Sequence, residues 1–273
     1  KFNLIAGLRL DWFSETKLTH LSPKLGLMYK LGNCSLRGSY AGGFRAPTLK
    51  EMYMNFYMGN IFMIYGNPDL RPESSHNFSL SAEYMKGRHN LTVTGFYNIV
   101  DDRITTAWNQ VLGGQVYTNM SRLQVAGVDA NASGRYPCGI SWHLSYAYTC
   151  EHIRKGEPML SSTRPYTATA RIAYDKDWKN YGLSVALSGR YLSTVTTDVY
   201  TEITSYEKTE KQTYPGYTIW KLSLSQRVCR GVNVTLAVDN LFNYRPDYYY
   251  NNSPSTTGTT CSVGLSLDLE RLF

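Results

Sequence analysis

The chain has 273 residues, a formal net charge of +7, 14% aromatic residues including 23 tyrosines, and five cysteines. No run approaches the roughly 18 to 20 apolar residues of a membrane-spanning helix, and the cations are scattered singly rather than gathered in a stripe, which argues against a nucleic-acid surface. An odd number of cysteines at no metal-ligand spacing makes neither a disulfide framework nor a zinc site; Cys34, Cys138 and Cys229 fall near predicted tight turns.

Taken from the start, Leu4, Ala6, Leu8, Leu10 and Trp12 occupy one face and Ile5, Gly7, Arg9 and Asp11 the other, a period of two that predicts a strand. The pattern enters at Lys1 with no signal peptide in front of it, so either a leader has been removed or the chain is a fragment. The period recurs along the whole chain and predicts about twelve strands, near 2 to 13, 20 to 31, 34 to 44, 75 to 87, 89 to 108, 116 to 136, 140 to 152, 163 to 175, 179 to 196, 213 to 227, 231 to 240 and 258 to 271. No helical segment is predicted.

Several of these segments run past a dozen residues, twice the length of an ordinary soluble strand and enough to cross a hydrocarbon layer at a tilt. Their composition points the same way. Tyr166, Ala168, Ala170, Ile172 and Tyr174 form an apolar face bounded by tyrosine at both ends, opposite Thr167, Thr169 and Arg171. Trp142, Leu144, Tyr146 and Tyr148 oppose His143, Ser145, Ala147 and Thr149, and Trp220, Leu222 and Leu224 oppose Lys221, Ser223 and Ser225. An apolar band between aromatic girdles belongs to a transmembrane barrel, where tyrosine keeps its ring in lipid and its hydroxyl in water. Cys261, Val263, Leu265, Leu267, Leu269 and Phe273 share the apolar parity of the last segment. The connections alternate between short and long, and outer-membrane barrels have short periplasmic turns and long extracellular loops. The long ones, at 14 to 19, 45 to 74, 109 to 115, 153 to 162, 197 to 212 and 241 to 257, are therefore assigned to the outside.

The longest connection holds two proline-stiffened boxes, Gly43-Phe44-Arg45-Ala46-Pro47-Thr48-Leu49-Lys50-Glu51 and Gly66-Asn67-Pro68-Asp69-Leu70-Arg71-Pro72-Glu73. Between them lie Met52, Met54, Met58 and Met63 with Tyr53, Phe56, Tyr57, Phe62 and Tyr65. Such an insert packs irregular gaps, or holds a flat hydrophobic macrocycle, or ligates a metal through a thioether. The candidate ligand-binding residues are Met52, Met54, Phe56, Tyr57, Met58 and Met63, joined by Tyr248, Tyr249 and Tyr250 of the last long loop, whose other role is an aromatic belt. Arg45 and Arg71 are expected to pair with Glu51, Asp69 or Glu73 and so stiffen the loop. His20, His76 and His152 fall at predicted extracellular strand ends, His143 points inward, and His76 is the weak candidate for a metal ligand because it follows the second box. There is no nucleophile elbow, phosphate-cradling glycine loop or paired metal-ligand motif, so no enzyme is predicted.

The boxes at Phe44, Arg45, Ala46 and Pro47 and at Asn67, Pro68, Asp69 and Leu70 resemble the FRAP and NPDL boxes of TonB-dependent outer-membrane receptors. Leu21-Ser22-Pro23-Lys24-Leu25-Gly26-Leu27 and Ala237-Val238-Asp239-Asn240-Leu241-Phe242-Asn243-Tyr244 are similar to further stretches of that family's barrel, and a terminal phenylalanine resembles its closing signature. The resemblance implies an all-β, antiparallel transmembrane barrel of about 22 strands filled by an N-terminal plug. The chain would supply its C-terminal part, without the plug or its energy-coupling TonB box; closure of the twelve strands on themselves is the alternative. It further implies a receptor in the bacterial outer membrane that imports a metal chelate such as haem, with corrinoid (cobalamin) or siderophore as alternatives and a passive pore as a different class. Implied partners are membrane lipid, the N-terminal remainder of the barrel, the TonB complex acting through the plug, and a surface lipoprotein; no cofactor and no nucleic acid are expected. Haem receptors of this family carry a histidine between the boxes, and here none occurs from Ala46 to Ser75.

Overall fold

A computed structural model describes residues 1–13, 18–59, 62–153, 163–179, 181–200, 209–229, 231–248 and 256–268. Twelve strands form one antiparallel path: β1 (Phe2–Phe13), β2 (Leu18–Leu31), β3 (Cys34–Arg45), β6 (Glu73–Lys86), β7 (His89–Asn109), β8 (Gly114–Arg135), β9 (Ile140–Ile153), β10 (Tyr166–Asp177), β11 (Gly182–Leu192), β14 (Tyr217–Cys229), β15 (Val232–Asp239) and β16 (Thr260–Leu267). Short elements fill two of the long connections: α1 (Leu49–Tyr53) with the hairpin β4 (Phe56–Met58) and β5 (Phe62–Tyr65), and the separate hairpin β12 (Val195–Tyr200) and β13 (Thr209–Tyr214). Among the described residues β1 pairs only with β2 and β16 only with β15.

Register makes the two faces continuous across the sheet. One row runs Leu4, Leu27, Gly38, Leu80, Gly95, Val128, Tyr148 and Tyr166. Another runs Trp142, Ile172, Leu187, Leu222 and Val238. Side chains of this face stand open to the surroundings: Leu8 is 71% exposed, Leu80 69%, Ile172 55% and Val263 76%. In water so broad an apolar surface would be an aggregation site; facing hydrocarbon, it needs no further cover. The opposite face is laced by polar pairs, with Ser39 and Ser79 Oγ at 2.7 Å, Thr94 donating to Ser81 at 3.0 Å, Ser145 and Thr169 at 2.7 Å, and Arg37 paired with Glu83 at 2.7 Å. Among the described residues the two buried apolar clusters gather around Met52 and Val195, where the long connections meet the wall, while small Ala173 and Ala186 are buried within β10 and β11.

At one end the strands join in tight turns. Gly32 and Gly87 occupy the first central position of two-residue hairpins with φ of 58° and 59°, the left-handed conformation that hairpin twist requires and a side chain resists. The other end carries the long connections.

The strand assignments from period two hold for all twelve members of the path, and three local features depart from them. The predicted strand 179 to 196 ends at Leu192, and its continuation turns into β12. The 109 to 115 connection is only a tight turn at 110–113 between β7 and β8. The insert contains a five-residue helix, α1, where none was expected. A helix this short carries no readable periodicity, and its signal is the cap: Thr48 accepts from Glu51 N–H while the Glu51 carboxylate accepts from Thr48 N–H at 2.8 Å, a capping box.

Candidate ligand-capture loop and its anchors

Arg45, at the end of β3, ties the two boxes together. Its guanidinium donates to both oxygens of Glu51 in α1, at 2.9 and 3.0 Å, and to both oxygens of Glu73, at 2.7 and 2.9 Å. Glu73 also accepts from Ile104 N–H in β7 at 2.6 Å. The planar, five-donor geometry of arginine permits this double fork; a lysine would hold the charges without fixing the angles. The expected pairing of Arg45 is thus observed with both carboxylates. Arg71 is different: its guanidinium pairs with Asp102 at 2.6 Å instead of Asp69 or Glu73. Asp102 sits in β7 at φ 54°, between the paired positions Asp101–Arg122 and Arg103–Met120. No sequence pattern predicts that backbone conformation.

The second box seals the loop to the wall. Asn67 N–H donates to Glu51 carbonyl at 2.9 Å, its amide donates to Tyr117 carbonyl at 2.9 Å, and its side-chain oxygen accepts from Asp69 N–H at 2.9 Å, the Asx turn that makes Asn-Pro-Asp a corner. Asn119 in β8 brackets Arg71, accepting from its N–H and donating to its carbonyl, both at 2.8 Å. Leu70 then buries with Met52 and Ile104, against Tyr117. Gly66 permits the closure, since a Cβ there would lie 2.7 Å from Met52 carbonyl oxygen.

The remaining insert residues divide sharply. Met52 is buried in this cluster. Phe56 lies under the Lys50 ammonium at 4.4 Å, Phe62 meets Trp108 edge-on at 5.9 Å, and Met63 is half-buried. Tyr53, Met54, Tyr57 and Met58 remain exposed, at 50% or more each.

The other predicted residues lie elsewhere. Tyr248 belongs to a second cluster, while Tyr249, Tyr250 and Phe273 lie outside the described residues. His76 shares the outer face with Phe78 and Leu80 and is hydrogen-bonded to Tyr40 through Nδ1 at 2.9 Å. His152 falls on that outer parity too, whereas His20, stacked on Phe44 at 4.2 Å, and His143 face inward.

The second cluster centres on Arg164, a residue sequence reasoning passed over. It is buried, donates to Ser193 carbonyl and, at 2.8 Å, to Pro215 carbonyl, reaches Tyr248 hydroxyl at 3.2 Å and lies over the Tyr217 ring at 5.0 Å. Tyr244 stacks on Tyr217 at 4.9 Å and Tyr214 meets Tyr248 at 5.3 Å. Burial, with a bond to Tyr248, raises the Tyr244 phenol above its ordinary pKa, so it stays a neutral partner. One cation thereby gathers the β10, β11, β14 and final-loop ends. Its only sequence signal was a Thr-Arg-Pro beside a strand start.

The Arg45 clasp has a pH signature. Its bonds to Glu73, opposed by burial and aided by Ile104 N–H, hold that carboxyl below the ordinary value; for Glu51 burial opposes ionisation but Thr48 and Arg45 outweigh it. A depressed folded pKa contributes stability that is present above the unfolded value, about 4.3, and disappears as pH falls through the folded one. Hydrogen exchange of residues 46–73, corrected for intrinsic rates, is expected to be flat from about pH 5 to 8 and to rise below about pH 4; loosening already between pH 5 and 7 would contradict this origin.

An antiparallel wall with one lipid-facing side, one polar side, tight turns at one end and anchored loops at the other defines a transmembrane β-barrel wall. Residues 1–241 match the family model described as TonB dependent receptor-like, beta-barrel, and the chain belongs to that family of outer-membrane receptors, which are not enzymes. It is 33% identical over 183 residues to an iron-regulated outer membrane virulence protein of Vibrio cholerae, a match covering 59% of this chain and 27% of that one. Its fold resembles the siderophore receptor PirA of Acinetobacter baumannii, with TM-score 0.75, 19% identity and coverage of 97% of this chain and 43% of that one. It also resembles the FrpB iron transporter of Neisseria meningitidis, with TM-score 0.74, 19% identity and coverage of 97% and 43%. The chain therefore spans about a quarter of the curated relative and less than half of either solved chain.

Proposed function

We propose that this chain forms the wall and part of the ligand-capturing mouth of an active importer for an iron chelate, with further strands completing the barrel and a plug supplying the gate. The observation that carries the reading is the division within the insert: its base is fixed by Arg45, Asn67 and Leu70, while Tyr53, Met54, Tyr57 and Met58 stay exposed. Rigid rings and polarizable thioethers on an anchored loop meet an aromatic or macrocyclic ligand with little ordering cost. Iron as the cargo metal is supported by the names of the relatives, and a siderophore now stands ahead of haem. Met52 is buried in the loop's own core, no histidine lies between the boxes, and His76 is engaged by Tyr40 on the outer face, which leaves Met54, Met58 and Met63 as the remaining thioethers a haem iron could meet. Edge strands β1 and β16 support completion by further strands, because unpaired backbone groups are not tolerated in hydrocarbon.

The test is a titration of the whole receptor with a ferric catecholate, haemin and cyanocobalamin, comparing wild type with Tyr53, Met54, Tyr57 and Met58 all changed to serine. The expected result is saturable ferric-chelate binding weakened on the order of a hundredfold in the variant, given about 1 kcal/mol or less per partly exposed contact. Binding that ignores the four substitutions would sink the role of these residues, and selective retention of cyanocobalamin would replace iron by a corrinoid.

A further inference from the structure

The short-turn end of the sheet carries a cleft that ligand capture at the opposite end does not use. It measures about 280 Å³ and is lined by Arg88 of the β6–β7 turn, Ser133, Gly134 and Arg135 at the end of β8, Ser141, Trp142 and His143 at the start of β9, and Arg171 of β10. Register sets Ser133, His143 and Arg171 side by side on the inner face. Three guanidinium groups, an imidazole and two hydroxyls thus line one cleft, and no carboxylate does.

Elsewhere on the wall most arginines are paired, although Arg103 and Arg190 also form no ion pair among the described residues; neither of those shares a cleft with a second arginine. Arg9, Arg37, Arg45, Arg71, Arg122, Lys221 and Arg227 each have a carboxylate partner, whereas among the described residues Arg88, Arg135 and Arg171 form no ion pair. The two carboxylates at the end of β10 are committed elsewhere: Asp175 accepts from Ser184 at 2.5 Å and Asp177 pairs with Arg227 at 2.8 Å. Like charges held together without a counter-charge are unfavourable, and all the more beside a low-dielectric wall that focuses their field. An oxyanion removes that penalty, and the arginine fork matches its oxygens.

The level of the cleft on the barrel is marked by aromatic rings. His89 meets Tyr136 edge-on at 5.3 Å and lies 6.3 Å from Trp142, a cluster of the kind that sits at headgroup depth. Gly134 lets it close, since a Cβ there would stand 2.4 Å from His89 Nδ1 and 2.6 Å from Trp142 Nε1.

We infer that this cleft is a phosphate-binding site at the short-turn rim of the barrel, taking a phosphate group through Arg88, Arg135 and Arg171 with Ser133 and Ser141 as hydroxyl donors. The phosphate comes either from the headgroup of an anionic phospholipid, bent over the short-turn rim at Arg88 while its chains lie along the outer face past Trp142, or from free inorganic phosphate.

Both sources are tested on the whole receptor in neutral detergent, wild type against Arg88→Gln/Arg135→Gln/Arg171→Gln, with folding of each checked by retained heat-modifiable mobility. Native mass spectrometry reads retention of phosphatidylglycerol against phosphatidylcholine, and calorimetry reads inorganic phosphate. The headgroup source predicts preferential retention of phosphatidylglycerol, weakened roughly fivefold per arginine and so on the order of a hundredfold in the triple variant. The free-anion source predicts salt-sensitive phosphate binding lost in the variant, with no lipid preference. If neither ligand binds, or if binding is the same in both proteins, the site does not exist.

Discussion

Arg164→Met in the whole receptor is expected to undock the loop ends of β10, β11, β14 and the final connection together, at a cost of about 3 kcal/mol. The side chain is only 5% exposed in total, so little of its interaction is screened by water. Methionine has a similar length and removes the guanidinium. Two carbonyls, Ser193 and Pro215, lose their charged donor, Tyr248 hydroxyl loses a neighbour, and the Tyr217 face loses its cation. A buried acceptor left unsatisfied costs more than the bond was worth in isolation, which places the effect well above a surface substitution. Hydrogen exchange should accelerate on the order of a hundredfold at residues 193–195 and 214–217 and at 244–248 simultaneously, with β7 and β8 unaffected. Acceleration confined to one of those segments would mean that they are held separately and that Arg164 is no hub. Arg164→Lys is the informative companion: an ammonium can take the place of Nη1 at the two carbonyls but replaces neither Nη2 at Tyr248 nor the planar face over Tyr217, so only part of the loss should persist.

How far the sequence led can be judged from particular residues. The wall was legible because transmembrane strands obey a period of two over long stretches with one apolar parity. Leu8, Ile172 and Val263 announce the lipid face by chemistry alone, and the register then places them in one surface. The boxes were legible as a pair, and the Arg45 clasp with them, because oppositely charged residues beside prolines have few other uses. What escaped was decided by long-range partners. The α1 helix depends on Thr48 and Glu51 capping each other in a five-residue segment, too short for periodicity to register. Arg71 finds Asp102 across the wall, at a position of left-handed backbone, and Arg164 finds its carbonyls across 29 and 51 residues of chain. The methionines were read as one set, yet Met52 packs against Leu70 and Ile104 while Met54 and Met58 face outward. Composition cannot make that division, which requires knowing where α1 sits on the wall.

The same division fixes what Arg45 does, and therefore what its loss should do. Arg45→Met is expected to release α1 and the second box from β6 and β7 at a cost of about 2 kcal/mol, less than Arg164 because the Arg45 side chain is 41% exposed and its charges are partly screened. Removing it leaves Glu51 and Glu73 facing each other without the cation that holds both ionised. Exchange over residues 46–72 should rise roughly thirtyfold, since 1.4 kcal/mol is a factor of ten. If the clasp presents Tyr53, Met54, Tyr57 and Met58 to a chelate, affinity should fall in parallel although no contact residue has changed, because the loop must then be ordered on binding. A double-mutant cycle with Glu73→Gln separates the causes. Arg45 and Glu73 act as one unit, so the double variant should cost little more than Arg45→Met alone, and Glu73→Gln by itself should cost less, because its amide still accepts from Ile104 N–H and only half the fork is weakened. Strict additivity of the two single losses would show that Arg45 holds the loop through Glu51 and the cap alone, reducing the clasp from a bridge between the boxes to an extension of the helix N-terminus.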